Sequence, residues 1–580
     1  MKHPRSLFAA TLALSLAACS QQTAVTPTAS ESAAGGTYLV GFRQDGLSSQ
    51  SLSAQATVQA QAITAAGGVI TTQWADISAA AVKLTPTALA KLKGNPLIEY
   101  VEQEAAHHAL GGRHLTTDAG ASGKPGSVTP TSTTAAPYTP SGEFTWGDNA
   151  LRVPDLRTAG YTGASTTIKV AVCVLDTGID GNHPEFQRKL KGFKNFTGEA
   201  NRSDAYAPND VSHHGTHVSG TVFAQYGAGT GASGLQPGED ANGVGGVATG
   251  ADLYMGRVLG DTGSGSSSGI INGLNWCAAQ LKSQGGTEDK VVVSMSLGGG
   301  SRSTTEQRAY TSAYNKGVLI VAATGNDGAA VSYPAAYDNV VGVAAVDNTL
   351  AKASFSNFGT QVDLSGPGVA VLSSVPLGQG AAASASGGGV TFTDVTGADN
   401  SAKTTVSGTI VKAGDGTGTA GANQFCGTST RNSALANNIA LISRGTCTFE
   451  EKVANANASG AKAVMIYNNA AGPLGMSLTN TYAIPVVGIL QTDGQALLGK
   501  LPTTGTVAVT TADYEYFDGT SMATPHVSAA AAVVWAAKPT LTNAQLLSLL
   551  TSTARDLGTA GKDNNFGYGL VDPYKAITGR

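Results

Sequence analysis

The chain has 580 residues, 13% of them charged and 75 of them glycine, with a formal net charge of -4. That length exceeds one compact domain, and the absence of a basic excess argues against a nucleic-acid partner. Low charge with abundant Gly, Ser, Thr and Ala suits a protein that works outside the cytoplasm.

The first elements concern the address. Lys2 and Arg5 precede LFAATLALSLAA, an apolar run too short to span a bilayer and of the kind that directs export. It ends in Leu16-Ala17-Ala18-Cys19, which resembles a bacterial lipobox. The resemblance implies that residues 1–19 are a lipoprotein-type signal peptide and that the Cys19 thiol is acylated. An ordinary signal peptide with a chance cysteine is the alternative. Contact with a membrane would then run only through this lipid on the precursor, since the later alanine-rich run 527–537 has the length of a buried helix. Residues 20–36 are Ser/Thr/Ala-rich and read as a flexible tether.

From 37 to 105 the pattern alternates. TYLVGFR is strand-like, 51–66 is an alanine-rich helix, and VITTQW and SAAAVKL are strands. TPTALAKLKGNP is a short helix with a Thr start and a Gly-Asn-Pro stop, and LIEYVEQE closes as a strand. The β-α-β-β-α-β order is ferredoxin-like. Residues 106–144 are a Gly/Ser/Thr/Pro linker, where proteolytic processing is expected, although composition does not identify the bond.

From 145 strands and helices alternate. IKVAVCVLD, DLYMGRVL, KVVVSMSLG and GVLIVAATGN are nearly continuous apolar runs, as in parallel strands covered on both faces. This predicts a doubly wound α/β sheet with its site beyond the carboxyl ends of the strands, where Asp176, residues 296–298 and Asn326 fall. The pattern stops near 375 and resumes at 514. The intervening 376–513 contain NIALISRGTCTFEEKVANANASGAKAVMIYNN and YAIPVVGILQTDGQALL and form a separate β-rich unit.

Three segments carry the chemistry: VLDTGID with Asp176, HGTHVSG with His214, and GTSMATPHV with Ser521. A serine hydroxyl is a poor nucleophile until an imidazole takes its proton and a carboxylate orients the imidazole. At these residues, and in the order Asp, His, Ser, the chain resembles the subtilisin-like serine proteases. The resemblance implies an α/β, doubly wound, mostly parallel sheet for 145–375 and 514–580. It further implies that 37–105 is an inhibitory propeptide, and the insert resembles a protease-associated (PA) domain.

The resemblance also assigns roles. Asp176, His214 and Ser521 become the catalytic relay, and Asn326 in AATGNDG becomes the second oxyanion donor beside the Ser521 N–H. Ser296, Leu297 and Gly298, with the loop GDTGSGSSSG, form two edges between which a peptide lies as an added strand. Gly298, Gly299 and Gly325 leave a roomy first pocket with Asp327 and Ser332 at its rim, which implies broad preference for apolar and basic side chains. Pro525 is expected in the first turn of the helix that Ser521 opens. His213 reads as a surface neighbour and His217 as a packing or hydrogen-bonding residue. A zinc site is disfavoured, because H-x-x-H lacks the glutamate of zinc proteases.

No organic cofactor is implied. A structural calcium ion is implied at Glu185, with GEDANGVGGVA as companion loop, a solvated acidic turn being the plain alternative. Export makes a Cys426–Cys447 disulfide reasonable, whereas Cys173 and Cys277 read first as free buried thiols, a bridge between them being the open alternative. The expected protein is a secreted endopeptidase of protein and peptide substrates, made as a zymogen with its own propeptide as inhibitor. Its precursor would be lipid-anchored at the cell envelope, and its mature form extracellular. Three rival readings are an aspartic protease through the D-T-G triplets at Asp176 and Asp261, an esterase through Gly265-Ser-Ser-Ser-Gly269, and an inactive lipid-anchored binding protein of the same fold.

Overall fold

The computed structural model describes residues 35–43, 52–113, 137–186, 189–229, 243–392, 395–398, 400–414, 423–469, 474, 476, 478 and 480–580. The signal segment with Cys19, tether residues 20–34 and linker residues 114–136 lie outside these.

Seven parallel strands form the central sheet, in the order Val362–Pro367, Val340–Val346, Leu319–Ala323, Lys290–Met295, Val170–Asp176, Asp252–Arg257, Leu190–Asn195. The five inner strands have no polar side because both faces are covered, whereas the edge strand Leu190–Asn195 is partly exposed. Val170, Val172 and Val174 face the helices His214–Phe223 and Thr520–Ala537 through Val218, Val222, Met522 and Val527. Ala171, Cys173 and Leu175 alternate to the other face, against Ile270, Leu274 and Cys277 of the helix Ser267–Ala278. The strand order reverses between Val170–Asp176 and Lys290–Met295, which opens a crevice at their carboxyl ends.

The helix Thr520–Ala537 is buried along nearly its whole length, and its alanines let it lie close to the sheet. Pro525 sits inside it, not in its first turn as expected, because the helix begins at Thr520. The missing N–H would have paired with the carbonyl of Ser521. That carbonyl instead accepts the Ser296 hydroxyl at 2.7 Å.

The N-terminal unit is an antiparallel sheet in the order Val69–Trp74, Ala79–Leu84, Gly36–Phe42, Ile98–Gln103, with helices Leu52–Ala66 and Pro86–Lys93. One face packs on these helices through Val40, Phe42, Ile63, Val82 and Leu92. The other face places Leu39, Trp74, Ile77 and Ala81 in the apolar cluster of the helices Ser267–Ala278 and Thr304–Asn315. Glu102 accepts the Ser303 hydroxyl at 2.8 Å and the Thr304 N–H at 2.7 Å, and Glu104 accepts the Ser268 N–H at 2.8 Å. Two carboxylates of the N-terminal unit thus cap two helix starts, where N–H groups lack internal partners.

The insert forms a second, mixed seven-stranded sheet that opens with Gly380–Gly387 and closes with Thr503–Ala512, paired to each other. Cys426 and Cys447 form the expected disulfide inside it. The expectation of free thiols at Cys173 and Cys277 is corrected: they are bonded to each other. Cys173 points out of its strand toward the helix that carries Cys277, so burial and pairing go together. Among the described residues no helix is long and apolar enough to cross a membrane.

Candidate active site

Asp176 ends a central strand and is fully buried. Its Oδ1 lies 2.7 Å from Nδ1 of His214 and also accepts the Thr177 N–H at 2.7 Å. His214 opens its helix one residue after His213, which takes a positive φ of 65°. The helix comes close to the Asp176 corner: a Cβ on Gly215 would stand 2.1 Å from the Gly178 carbonyl oxygen, so only glycine fits directly after His214. His214 Nε2 has no hydrogen-bond partner among the described residues. Burial disfavours a charged ring there, but the charge and hydrogen bond of Asp176, with Asp210 further off, outweigh it and hold the His214 pKa above its ordinary value.

Ser521 is the second residue of its helix. Its hydroxyl donates to the Ser296 carbonyl at 2.9 Å, so in this rotamer it is not in line with His214. Its backbone N–H donates to the carbonyl oxygen of Leu110, 3.1 Å away. Asn326 follows the strand Leu319–Ala323, and its Oδ1 accepts the Thr520 N–H at 2.9 Å and the Thr520 hydroxyl at 2.8 Å. Gly519 has φ 150°, and a Cβ there would lie 2.6 Å from the Leu110 oxygen and 3.2 Å from Asn326 Nδ2. The peptide carbonyl and the Asn326 amide therefore meet over this glycine.

The peptide in the cleft is the chain's own. Ala106–Ala109 lies between Ser264–Ser266 and Leu297–Gly298, antiparallel to both. Ala109 N–H donates to Gly263 O at 2.9 Å and Leu110 N–H to Ser296 O at 3.2 Å. Beyond the Leu110–Gly111 bond, Gly112–Arg113 pairs with Phe517 and Asp518. A Cβ on Gly298 would meet Leu110 Cδ1 at 2.5 Å and Ser332 Oγ at 2.8 Å, so the leucine fills the pocket over that glycine. Gly325, at φ 112°, holds Asn357 rather than the peptide: its carbonyl accepts the Asn357 N–H at 2.9 Å.

The other candidates fall elsewhere. His217 is buried, stacks on Phe517 at 4.2 Å and has Nε2 2.9 Å from the Val371 carbonyl, and burial pushes its pKa down to about 3. His213 lies 3.6 Å from Glu515 and is more enclosed than a surface neighbour. Asp261 is bound by Arg202 and Arg257 at 2.7 and 2.6 Å, far from the pairing an aspartic protease needs between its two D-T-G carboxylates. Gly265 to Gly269 form a strand edge and helix start, with Ser267 donating to the Ala105 carbonyl at 3.2 Å.

Glu185 is buried, accepts the Tyr514 hydroxyl at 3.0 Å, and burial pushes its pKa up to about 8. Residues 238–242 of its companion loop lie outside the described residues. Among those described, no three His, Cys, Asp or Glu gather as metal ligands.

Two further residues belong to the site without a motif of their own. Asp210, four residues before His214, accepts the Thr177 hydroxyl at 2.7 Å and the Thr216 N–H at 2.7 Å, joining the Asp176 corner to the His214 helix. An acidic residue close before a catalytic-type histidine was its only sign. Glu306 lies beside the strand Ala106–Ala109, against His107, and no motif marks it.

This is the arrangement of a serine hydrolase on a parallel α/β sheet. Residues 167–423 and 491–569 match the model of the Subtilase family, and 406–497 match the PA domain, inserted within the protease domain. With more than half of its length matched, the chain belongs to the subtilase family. It is 31% identical over 347 residues to Subtilisin NAT of Bacillus subtilis subsp. natto, covering 59% of this chain and 74% of that protein. An alkaline protease of Shouchella clausii is 35% identical over 297 residues, 51% of this chain and 61% of that protein. The crystal structure of the psychrophilic subtilisin-like protease Apa1 from Pseudoalteromonas sp. AS-11 superposes with a TM-score of 0.54 at 31% identity, covering 75% of this chain and 98% of that one. Fervidolysin from Fervidobacterium pennivorans has the same TM-score at 22% identity, a likeness of fold, over 94% of this chain and 61% of that one.

Proposed function

We propose that the chain is the precursor of an exported serine endopeptidase that cuts its own Leu110–Gly111 bond and then cleaves other proteins. The observation that carries this reading is the Leu110 carbonyl resting on the Ser521 N–H, with the His214–Asp176 pair at the same crevice.

Rotation of the Ser521 hydroxyl from Ser296 toward His214 Nε2 starts the reaction. Oγ attacks the Leu110 carbonyl carbon while Nε2 takes its proton. Asp176 keeps the Nδ1–H tautomer and stabilises the imidazolium. The Ser521 N–H and the Asn326 amide take up the charge on the carbonyl oxygen. Collapse expels the Gly111 amine, which receives the proton from His214, and water then releases the Leu110 carboxylate by the same relay.

The cut leaves the leader in the cleft as an inhibitor, held by Glu102, Glu104 and the apolar face around Trp74. Its removal frees a cleft whose binding is carried by main-chain pairing, which favours many substrates. If Cys19 is acylated, the lipid stays with the leader, and the domain from Gly111 onward leaves the envelope.

Expression of wild type and Ser521→Ala, with N-terminal sequencing, tests the reading. A wild-type species starting at Gly111 and a full-length Ser521→Ala chain are expected. Equal processing in both chains would overturn self-cleavage, and a wild-type protein that no fluorophosphonate labels at Ser521 would overturn the enzyme reading.

A further inference from the structure

The docked leader brings a charged residue of the protease domain against a histidine. His107 is the fourth residue before the Leu110–Gly111 bond, counting Leu110 as the first. Its side chain and that of Glu306 are both fully buried. His107 Nε2 lies 2.7 Å from Glu306 Oε1. Glu306 Oε2 accepts the Tyr337 hydroxyl at 2.8 Å, and Tyr337 in turn accepts the Ser303 N–H at 2.8 Å. Ser267 Oγ stands 3.5 Å from the same ring nitrogen, and a Cβ on Gly300 would lie 3.5 Å from His107 Cε1. The ring is thus approached by a glycine, a serine and a carboxylate.

The strand geometry explains why this position is read and its neighbour is not. His107 pairs with Gly265 and His108 with Ser264, and alternate side chains of an extended strand point to opposite sides. His108 turns outward to the Ser264 hydroxyl at 2.8 Å, whereas His107 turns into the domain. Main-chain pairing holds the strand whatever its side chains are. The pocket beneath the fourth residue therefore sets a preference, not the fact of binding.

We propose that Glu306 makes the cleft select substrates with a histidine at the fourth residue before the scissile bond. This rests on the endopeptidase reading above and names the substrate class of the same cleft. A buried carboxylate without a donor is costly, and Tyr337 supplies one donor of the several it can accept. An imidazole N–H supplies another at hydrogen-bond distance. A leucine there would cover Glu306 and leave one oxygen unpaired. Burial pushes the Glu306 pKa up, but the hydrogen bond and charge of His107, with the hydroxyls of Ser267 and Tyr337, pull it lower still, so the group works as a carboxylate.

The test uses mature enzyme made from the full-length chain and quenched peptides of sequence EAAHHALGG, with His or Leu at the first histidine position. A hydrogen bond to a buried charge predicts a His preference of about 10- to 100-fold in kcat/KM. Glu306→Leu is expected to reverse it, and Glu306→Gln, which keeps the side-chain shape, to reduce it. A second histidine changed to Leu should alter cleavage little in any of the three enzymes. Equal cleavage of the His and Leu peptides by the wild type would overturn the proposal, whether or not the variants fold. So would a His preference that survives in Glu306→Leu. Failure to cut any peptide, with Ser521 unlabelled by a fluorophosphonate, would overturn the endopeptidase reading and this inference together. Labelled Ser521 with no His preference would overturn this inference alone.

Discussion

Ser296 and Ser521 are joined by two opposed hydrogen bonds: the Ser296 hydroxyl donates to the Ser521 carbonyl, and the Ser521 hydroxyl donates to the Ser296 carbonyl. The first exists because Pro525 has no N–H to give that carbonyl. A strand end that lines the cleft is thereby tied to the helix start that holds the nucleophile. The second is the bond that the nucleophile must leave in order to meet His214.

The tie predicts a coupled pair of substitutions. Ser296→Ala leaves the buried Ser521 carbonyl without a partner, which costs about 1 to 3 kcal/mol. Pro525→Ala restores an N–H four residues on, so the double variant should recover part of that loss. Chemical denaturation on a Ser521→Ala background, which prevents self-digestion, measures the cycle. Strict additivity would mean that the proline and the serine do not share the carbonyl.

Asn326 gives a kinetic prediction. Its Oδ1 is held by Thr520, which orients the amide toward the carbonyl at the Ser521 N–H. Asn326→Leu removes a donor that matters most as charge grows on that oxygen. A fall in kcat of roughly 100- to 1000-fold with little change in KM is expected. A variant that changes KM alone would place Asn326 in ground-state binding.

Much of this architecture was legible because it is local. Continuous apolar runs such as VAVCVLD marked central strands, and each of the three motifs falls on a strand end or a helix start. What remained hidden depends on which faces meet across the chain. The Cys173–Cys277 bond needs the side of the strand and the face of the helix at once, and burial alone favours free thiols while leaving the bridge open. Pro525 lies deeper in its helix than the sequence suggests because the helix starts at Thr520, which is held by Asn326 nearly two hundred residues away. Glu306 sits in an ordinary amphipathic helix pattern and acquires meaning only when His107 docks against it.

The pH dependence follows from His214. Its neutral form is the base, and Asp176 with Asp210 holds its pKa above the usual value despite burial. kcat/KM should therefore fall on acidification through a midpoint above the ordinary histidine value of about 6.5. Asp176→Asn removes the charge and the tautomer control, so its acidic limb should move to lower pH and its rate drop by about 10⁴-fold. Peptide hydrolysis from pH 5 to 10 measures both. An unmoved limb in Asp176→Asn would assign the titration to another group.

Glu185 predicts a pH-dependent stability of the opposite kind to a salt-bridged carboxylate. Burial outweighs its hydrogen bonds from Tyr514 and Val244 and pushes its pKa to about 8, from an ordinary 4.5. Between those values the folded chain keeps a proton that the unfolded chain has released. The stabilising contribution is complete below the lower value and is lost as pH rises through the upper one. Glu185→Gln keeps the size and polarity but cannot ionise, so it should lose less stability than the wild type between pH 5 and 9. The difference should be on the order of 3 kcal/mol or less. Denaturation of both chains on the Ser521→Ala background provides the comparison. The reverse sign, with the wild type stabilised at high pH by added calcium, would instead make Glu185 a cation ligand with the neighbouring loop.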